Sequence, residues 1–114
     1  MKYRTDFKLV YNDEAVAQND YDTIVALPEV SNAWTEAKII RLADDLDTNT
    51  CMPNGNKAIT GCLSWDSQSD RDNFVNYLTA NIVENTISGS RITTHLCGND
   101  ENKECVDLEI IFSN

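Results

Sequence analysis

Four side chains near the end of the chain could do chemistry together, namely His95, Cys97, Cys105 and Asp107. They lie in two segments, Arg91 to Cys97 and Glu104 to Phe112, that each alternate apolar and polar residues. The intervening Gly98–Lys103 segment has the composition of a hairpin turn. A symmetric turn centred on residue 101 would place Cys97 opposite Cys105 and His95 opposite Asp107. Opposed cysteines can form a disulfide, and sulfur and imidazole are ligands that zinc accepts.

The same register predicts which residues of this hairpin face outward. It places Thr93 opposite Glu109, so that the cysteine, histidine and threonine pairs all lie on the outer face of a sheet. The residues expected to face the core are Ile92, Thr94 and Leu96, together with Val106, Leu108 and Ile110. This outer face is the one place where the sequence gathers residues able to form a chemical site.

A zinc site would combine His95, Cys97 and Cys105 with Cys62 or Cys51 as the fourth ligand. Structural zinc sites usually contain closely spaced C-x-x-C pairs, and this chain has none. We therefore predict no metal and no cofactor. We also expect four thiols rather than a disulfide framework, because the N-terminus lacks the apolar run of a signal peptide.

Sequence motifs of catalysis are missing. The chain has no G-x-S-x-G elbow, no phosphate-binding glycine loop and only 4 glycines. Its single histidine would have to act as base for Cys97 or a serine, while Asp107 and Glu109 leave a two-carboxylate hydrolase open. We predict that the protein is not an enzyme and has no catalytic residues. The alternative is a small enzyme or a ligand- or metal-binding module on the outer face of the C-terminal hairpin.

Composition points to protein binding. The 114 residues suffice for one domain over 1–114, and 19 acids against 9 cations give a net charge of -10. Such a charge repels nucleic acid and anionic membranes but favours basic protein surfaces. The residues predicted to bind a partner are grouped acids and one tyrosine: Asp20, Tyr21, Asp22, Asp44, Asp45, Asp47, Asp100, Glu101 and Glu104.

The first half of the chain contains three predicted elements. Alternation from Tyr3 to Tyr11 predicts a strand, and Glu14 to Gln18 could form one helical turn capped by Asn12 or Asp13. Residues 23–27 fit either a short strand or a buried connection before a proline. Helical spacing predicts a helix from Ser31 to about Leu46, followed by a turn at 53–56.

The second half is predicted from similar patterns. A strand is expected from Ala58 to Trp65, with Gly61 marking a bulge or a close backbone approach. Ser67 or Ser69 should start a helix that ends before Gly89. Its buried stripe is predicted to be Phe74, Val75, Leu78 and Ile82.

These elements predict an α+β fold. The simplest arrangement is a two-layer sandwich, ferredoxin-like or related, with a mixed or antiparallel sheet of four to five strands and two main helices on one face. The connectivity matches the plain ferredoxin order only if residues 23–27 pair as a strand.

The function predicted from these observations is that of a small acidic cytoplasmic binding protein. We expect it to block a basic or nucleic-acid-handling protein, as an inhibitor, immunity or anti-defence factor, without binding nucleic acid or a membrane directly. In size, charge and lack of catalytic motifs it is similar in type to small phage-encoded anti-CRISPR proteins. The likeness covers no shared motif.

Overall fold

A computed structural model describes residues 2–98 and 104–114. In chain order the helices and strands are β1 (Lys2–Tyr11), α1 (Glu14–Val25), α2 (Pro28–Asn32), β2 (Ile39–Leu46), β3 (Pro53–Trp65), α3 (Gln68–Tyr77), β4 (Arg91–Cys97) and β5 (Cys105–Ser113). Single 3₁₀ turns occupy Thr35–Ala37 and Val83–Asn85, and a π turn continues α3 over Leu78–Ile82.

The five strands form one sheet in the order β2-β3-β1-β4-β5, and every neighbouring pair is antiparallel. Strand β3 lies between β2 and β1, so the β1-α1-β2 unit is split by a third strand. The helices share one apolar cluster with one face of the sheet. The predicted α+β class, with helices packed on an antiparallel sheet, is confirmed.

The core follows from the alternation in β1. Phe7, Leu9 and Tyr11 are buried on the side of the helices, as the predicted first strand requires. The ring of Phe74 in α3 lies 5.7 Å from that of Phe7. Phe7 is opposite Gly61 in β3, where an added Cβ would come within 2.1 Å of the Phe7 ring. Gly61 therefore leaves room for the Phe7 ring, which is a close approach of a side chain rather than the predicted bulge or close backbone approach.

The helix predicted from Ser31 to Leu46 is wrong. Only the end of α2 and the 3₁₀ turn Thr35–Ala37 are helical there, and Ile39–Leu46 forms the strand β2 against β3. The apolar spacing in this segment fits both the period of a helix and that of a strand. The hydrogen-bonded pairing with β3 makes it a strand. The predicted turn at 53–56 is also wrong, because β3 begins at Pro53 and the chain turns earlier, where Cys51 donates its N–H to the Asp47 carbonyl.

Residues 23–27 are not a strand. Helix α1 runs through Ile24, which is buried on its inner face, and ends at Val25. Asp13 caps its start by accepting the Val16 N–H at 3.0 Å. A predicted single turn thus extends to 12 residues, because Ala17 and Ile24 bury an apolar face against the sheet.

The second predicted helix is confirmed. Ser67 caps α3 by accepting the Asp70 N–H at 3.2 Å, and Gly89 follows its end with φ of +102°. The predicted stripe of Phe74, Val75, Leu78 and Ile82 is buried.

The C-terminal hairpin is confirmed, but only part of its predicted register is. Cys97 pairs with Cys105, whereas Thr94 rather than Thr93 lies opposite Glu109. The register shifts between Thr94 and Leu96, so two residues of β5 are accommodated opposite His95. This is a bulge, in which Asp107 has φ of +54°. The predicted pairing of His95 with Asp107 is wrong for that reason.

The bulge also changes which side chains reach the core. Ile92 and Thr94 are buried as predicted. Val106, Leu108 and Ile110 were expected in the core, but they are 45%, 58% and 56% exposed. Leu108 and Ile110 follow the bulge, which moves them to the other face of the sheet. Val106 keeps its predicted partner Leu96 and is exposed on the edge strand β5.

Candidate binding grooves on the uncovered face of the sheet

The helices pack on one face of the sheet, and the opposite face is termed the uncovered face. A row of paired residues crosses all five strands on this face: Arg41, Thr60, Lys8, Arg91 and Ser113. Lys8 lies at the centre of this row and borders two grooves, one towards β2 and one towards β5.

The first of these grooves, termed the acidic groove, has a volume of about 470 Å³. Its lining residues come from β1, β2, β3 and the β2–β3 turn: Lys8, Ala43, Asp44, Asp45, Leu46, Asp47, Thr48, Cys51, Ala58 and Thr60. Ala43, Leu46 and Ala58 give it an apolar surface, and Leu46 is 47% exposed. Three carboxylates are thus brought together around an apolar surface that is open to solvent.

Asp45 is the most buried of the three carboxylates, with 8% exposure. Its Oδ1 lies 3.0 Å from the Lys8 ammonium, and its Oδ2 accepts a hydrogen bond from the Asn54 amide at 2.7 Å. Burial acts to raise the pKa of Asp45, but the bonds from Asn54 and Lys8 outweigh it and hold the pKa below its ordinary value. Asp45 therefore holds the groove together as an ionised, paired carboxylate.

The other two carboxylates are exposed. Asp44 forms an ion pair of 2.6 Å with Lys57. Asp47 accepts the backbone N–H groups of Asn49 and Thr50, and no cation of the described chain pairs with it. Asp47 is therefore the carboxylate of this groove that retains its charge for a partner.

The second groove, termed the histidine groove, has a volume of about 390 Å³. Its lining residues are Asp6, Phe7, Lys8, Arg91, Thr93, His95 and Leu108. His95 Nε2 lies 3.3 Å from Thr93 Oγ1 and 3.5 Å from Asp6 Oδ2. Arg4 donates to both oxygens of Asp6, at 2.9 and 2.7 Å. Asp6, not Asp107, is thus the carboxylate beside the histidine.

Asp107 lies in a different environment. It lines a depression together with Tyr3, Gln68 and Arg71, on the side of α3. Asp6 was not among the predicted site residues, because its position beside His95 depends on β1 pairing with β4, which the chain order does not reveal. The available signal was the alternation of β1, which places Asp6 on the face away from the core.

The cysteines form one disulfide, between Cys97 and Cys105. The prediction of four thiols is therefore wrong for this pair, whereas Cys51 and Cys62 are free. Burial raises the pKa of the Cys62 thiol, and the hydrogen bond and charge of Asp6 raise it further. Within residues 2–98 and 104–114, no cluster of three or more histidine, cysteine, aspartate or glutamate side chains could hold a metal ion.

The first group of predicted partner-binding residues is largely structural. Asp20 is 4% exposed, accepts the Tyr11 hydroxyl at 2.8 Å and also accepts from the Asn85 amide. Tyr21 packs against the core, while Asp22 is exposed and accepts from the Gln18 amide. Asp20 is thus unavailable to a partner, because helix α1 turns it towards the buried Tyr11.

The last predicted group lies mostly outside the described residues. Asp100 and Glu101 fall in the segment 99–103, which the structure does not describe. Glu104 is exposed just before β5. The structure therefore brings together only Asp44, Asp45 and Asp47 from the predicted set.

Negative charge is concentrated in the segments that hold the helices, residues 12–38 and 66–90. These two segments, termed the helical layer, contain ten acids and two cations. The row of residues across the uncovered face contains three cations and no acid. Most of the net charge of -10 therefore belongs to the helical layer.

No model of a known protein family and no curated protein matches this chain. Among the described residues, every helix is too short or too polar to cross a membrane.

Proposed function

We propose that this protein binds a basic partner protein and blocks it, with the acidic groove as the contact site. The observation that carries the proposal is the gathering of Asp44, Asp45 and Asp47 around an exposed apolar surface. Charge beside apolar area is what an arginine or lysine side chain needs, because its stem is apolar and its end is cationic. The three residues also form one of the acidic groups expected to bind a partner.

The proposed contact uses the parts of the groove differently. The aliphatic stem of a partner arginine packs on Ala43 and Leu46, and its guanidinium reaches Asp47, whose oxygens pair with no cation of the described residues. Lys8 neutralises the charge of Asp45, so Asp45 stabilises the groove and does not bind the partner. Asp47 is the residue on which affinity should depend most.

The helical layer supports the same function at longer range. Ten acids against two cations create a negative potential that speeds encounter with a basic surface. This contribution is screened by salt over a distance of about 10 Å. Binding is therefore expected to have two parts, a salt-dependent attraction at long range and a localised contact at the acidic groove.

The proposed partner class is a nucleic-acid-handling protein, because such proteins present clustered arginine and lysine. Inhibitor, immunity and anti-defence roles all fit this contact, and we retain them as one proposed class. The finer ferredoxin-like assignment is also proposed: it is supported by β3 lying between β2 and β1, with β5 added beyond β4.

The proposed location is cytoplasmic. The Cys97–Cys105 disulfide is a feature that is commoner in oxidising compartments, which makes the compartment a separate question for experiment.

A test can use a defined probe, an acetylated hexapeptide of alternating arginine and leucine, in titrations followed by amide NMR. The matched control peptide contains citrulline in place of arginine, which keeps the shape and removes the charge. We expect the arginine peptide to shift the amide signals of Leu46, Asp47 and Cys51. The citrulline peptide should shift them far less.

Variants then locate the contact. Asp47→Asn should weaken binding of the arginine peptide about fivefold, the size expected for one exposed ion pair. Glu84→Gln removes one charge from the helical layer and should change binding less than about twofold at moderate salt. Equal effects of the two variants would show that binding is diffuse, and the groove would lose its proposed role.

A further inference from the structure

The uncovered face places two cations side by side. Lys8 in β1 and Arg91 in β4 are directly opposite each other in an antiparallel pair. Like charges at such positions repel and destabilise the pair of strands. The arrangement is costly unless an anion lies between or above the two side chains.

Lys8 is paired with an anion, but this anion lies on the side away from Arg91. Its ammonium lies 3.0 Å from Asp45, which belongs to the acidic groove. Arg91 is exposed, and its guanidinium has no hydrogen bond or ion pair to any described residue. Within residues 2–98 and 104–114, therefore, no acid pairs with this arginine.

The histidine groove lies over this pair of cations. The one carboxylate that lines it, Asp6, is held by two bonds from Arg4, so it does not neutralise Arg91. Thr93 adds a hydroxyl, and Leu108, 58% exposed, adds an apolar wall. The β5 bulge places Leu108 in this groove, whereas Asp107 lines the depression beside α3.

We propose that the histidine groove binds a small molecule that carries a phosphate group next to an apolar part. The phosphate lies against the guanidinium of Arg91, whose planar set of donors suits two phosphate oxygens, and near the Lys8 ammonium. The apolar part packs on Leu108. This site is independent of the acidic groove, since the two share only Lys8 at their border.

Phenyl phosphate is a suitable probe, because it combines a phosphate with an apolar ring. Titration followed by amide NMR should shift the signals of Arg91, Thr93 and Leu108 and reach saturation. Inorganic phosphate tests the anion alone, and phenol tests the ring alone. We expect both to bind at least about fivefold more weakly than phenyl phosphate, because each makes only part of the contact.

Two arginine variants provide a matched comparison on the same face. Arg91→Gln should weaken phenyl phosphate binding about tenfold, the loss of a charge-assisted pair of hydrogen bonds. Arg41→Gln makes the same charge change two strands away from β1 and should alter binding less than about twofold. Arg91→Lys should give an intermediate affinity, since it retains the charge without the planar donors.

Several results would overturn the proposal. One is that phenyl phosphate leaves the groove signals unchanged, and another is that Arg41→Gln weakens binding as much as Arg91→Gln does. Equal affinity for phenyl phosphate and inorganic phosphate would remove the apolar part of the proposal. The arginine-peptide titration reports on the acidic groove separately, so either proposal can fail without the other.

Discussion

Lys8 and Asp45 form an ion pair that spans an intervening strand, with the Lys8 ammonium 3.0 Å from the Asp45 carboxylate. Lys8 belongs to β1 and Asp45 to β2, and β3 lies between these strands in the sheet. The pair separates the two grooves of the uncovered face. Stability and binding are therefore linked at this position.

The lowered pKa of Asp45 makes the stability of the protein depend on pH in the acidic range. Because its folded-state pKa lies below the ordinary value, the contribution of Asp45 is complete above about pH 4 and is lost as the pH falls through the folded-state pKa. In urea unfolding from about pH 7 to about pH 2, the free energy of unfolding should fall less in Asp45→Asn than in the unchanged protein. Equal slopes in the two proteins would contradict the assigned role of Asp45.

Removal of the cation tests the same pair from the other side. Lys8→Met should lower the free energy of unfolding at neutral pH by about 1 kcal/mol, because Lys8 is partly exposed. It should also raise the pKa of Asp45, measured by the carboxyl chemical shift. An unchanged Asp45 pKa in Lys8→Met would show that the hydrogen bonds from Asn54 and from the Leu46 backbone hold it down without Lys8.

The Tyr11 hydroxyl donates to the buried Asp20 carboxylate at 2.8 Å, and burial followed by this bond raises the pKa of Tyr11 well above its ordinary value. Tyr11→Phe should therefore destabilise the protein by about 2 kcal/mol, because a charged acceptor loses a donor. Tyr77→Phe is the control, since that hydroxyl has no hydrogen bond to a described residue. Similar losses in both variants, measured by urea unfolding, would contradict a specific role for the bond.

The Cys97–Cys105 disulfide closes a short loop, with a sequence separation of 8. Its reduction should lower the free energy of unfolding by about 2 kcal/mol through the added entropy of the unfolded chain. The double variant Cys97→Ser with Cys105→Ser should show the same loss without a reducing agent, and Cys51→Ser should not. Detection of four thiols by mass spectrometry of alkylated, unreduced protein would contradict the disulfide.

The two free thiols should differ in reactivity. Cys51 is exposed, whereas Cys62 is half-buried and its pKa is raised by burial and by Asp6. At about pH 8, iodoacetamide should therefore label Cys51 first, because the thiolate is the reactive form. Peptide mapping over time measures both rates. Asp6→Asn should speed labelling of Cys62, and faster labelling of Cys62 than Cys51 in the unchanged protein would refute the assignment.

Much of the fold could be predicted locally. Alternation identified β1 and the C-terminal half of β3, because period two reports a half-buried strand without reference to a partner. The capping side chain of Ser67 identified the start of α3. The pairing of Cys97 with Cys105 could be predicted because only a short turn separates the two alternating segments in the sequence.

Long-range pairing decided the rest. Residues 39–46 have apolar spacing that suits a helix, yet they form a strand because β3 supplies a hydrogen-bonding partner. His95 lies beside Asp6 because β1 and β4 are neighbours. A single bulge in β5 then moved Asp107 and Leu108 away from their expected sides.

The sequence alone determined the net charge, the α+β class and the elements whose patterns are local, since these depend on residue type and short-range periodicity. Tertiary structure decided which acids are available. It buried Asp20 beside Tyr11, paired Asp45 with Lys8 and, among residues 2–98 and 104–114, gave Asp47 no cation. Availability depends on which strands and helices meet, and that is set by burial and pairing between residues far apart in the chain.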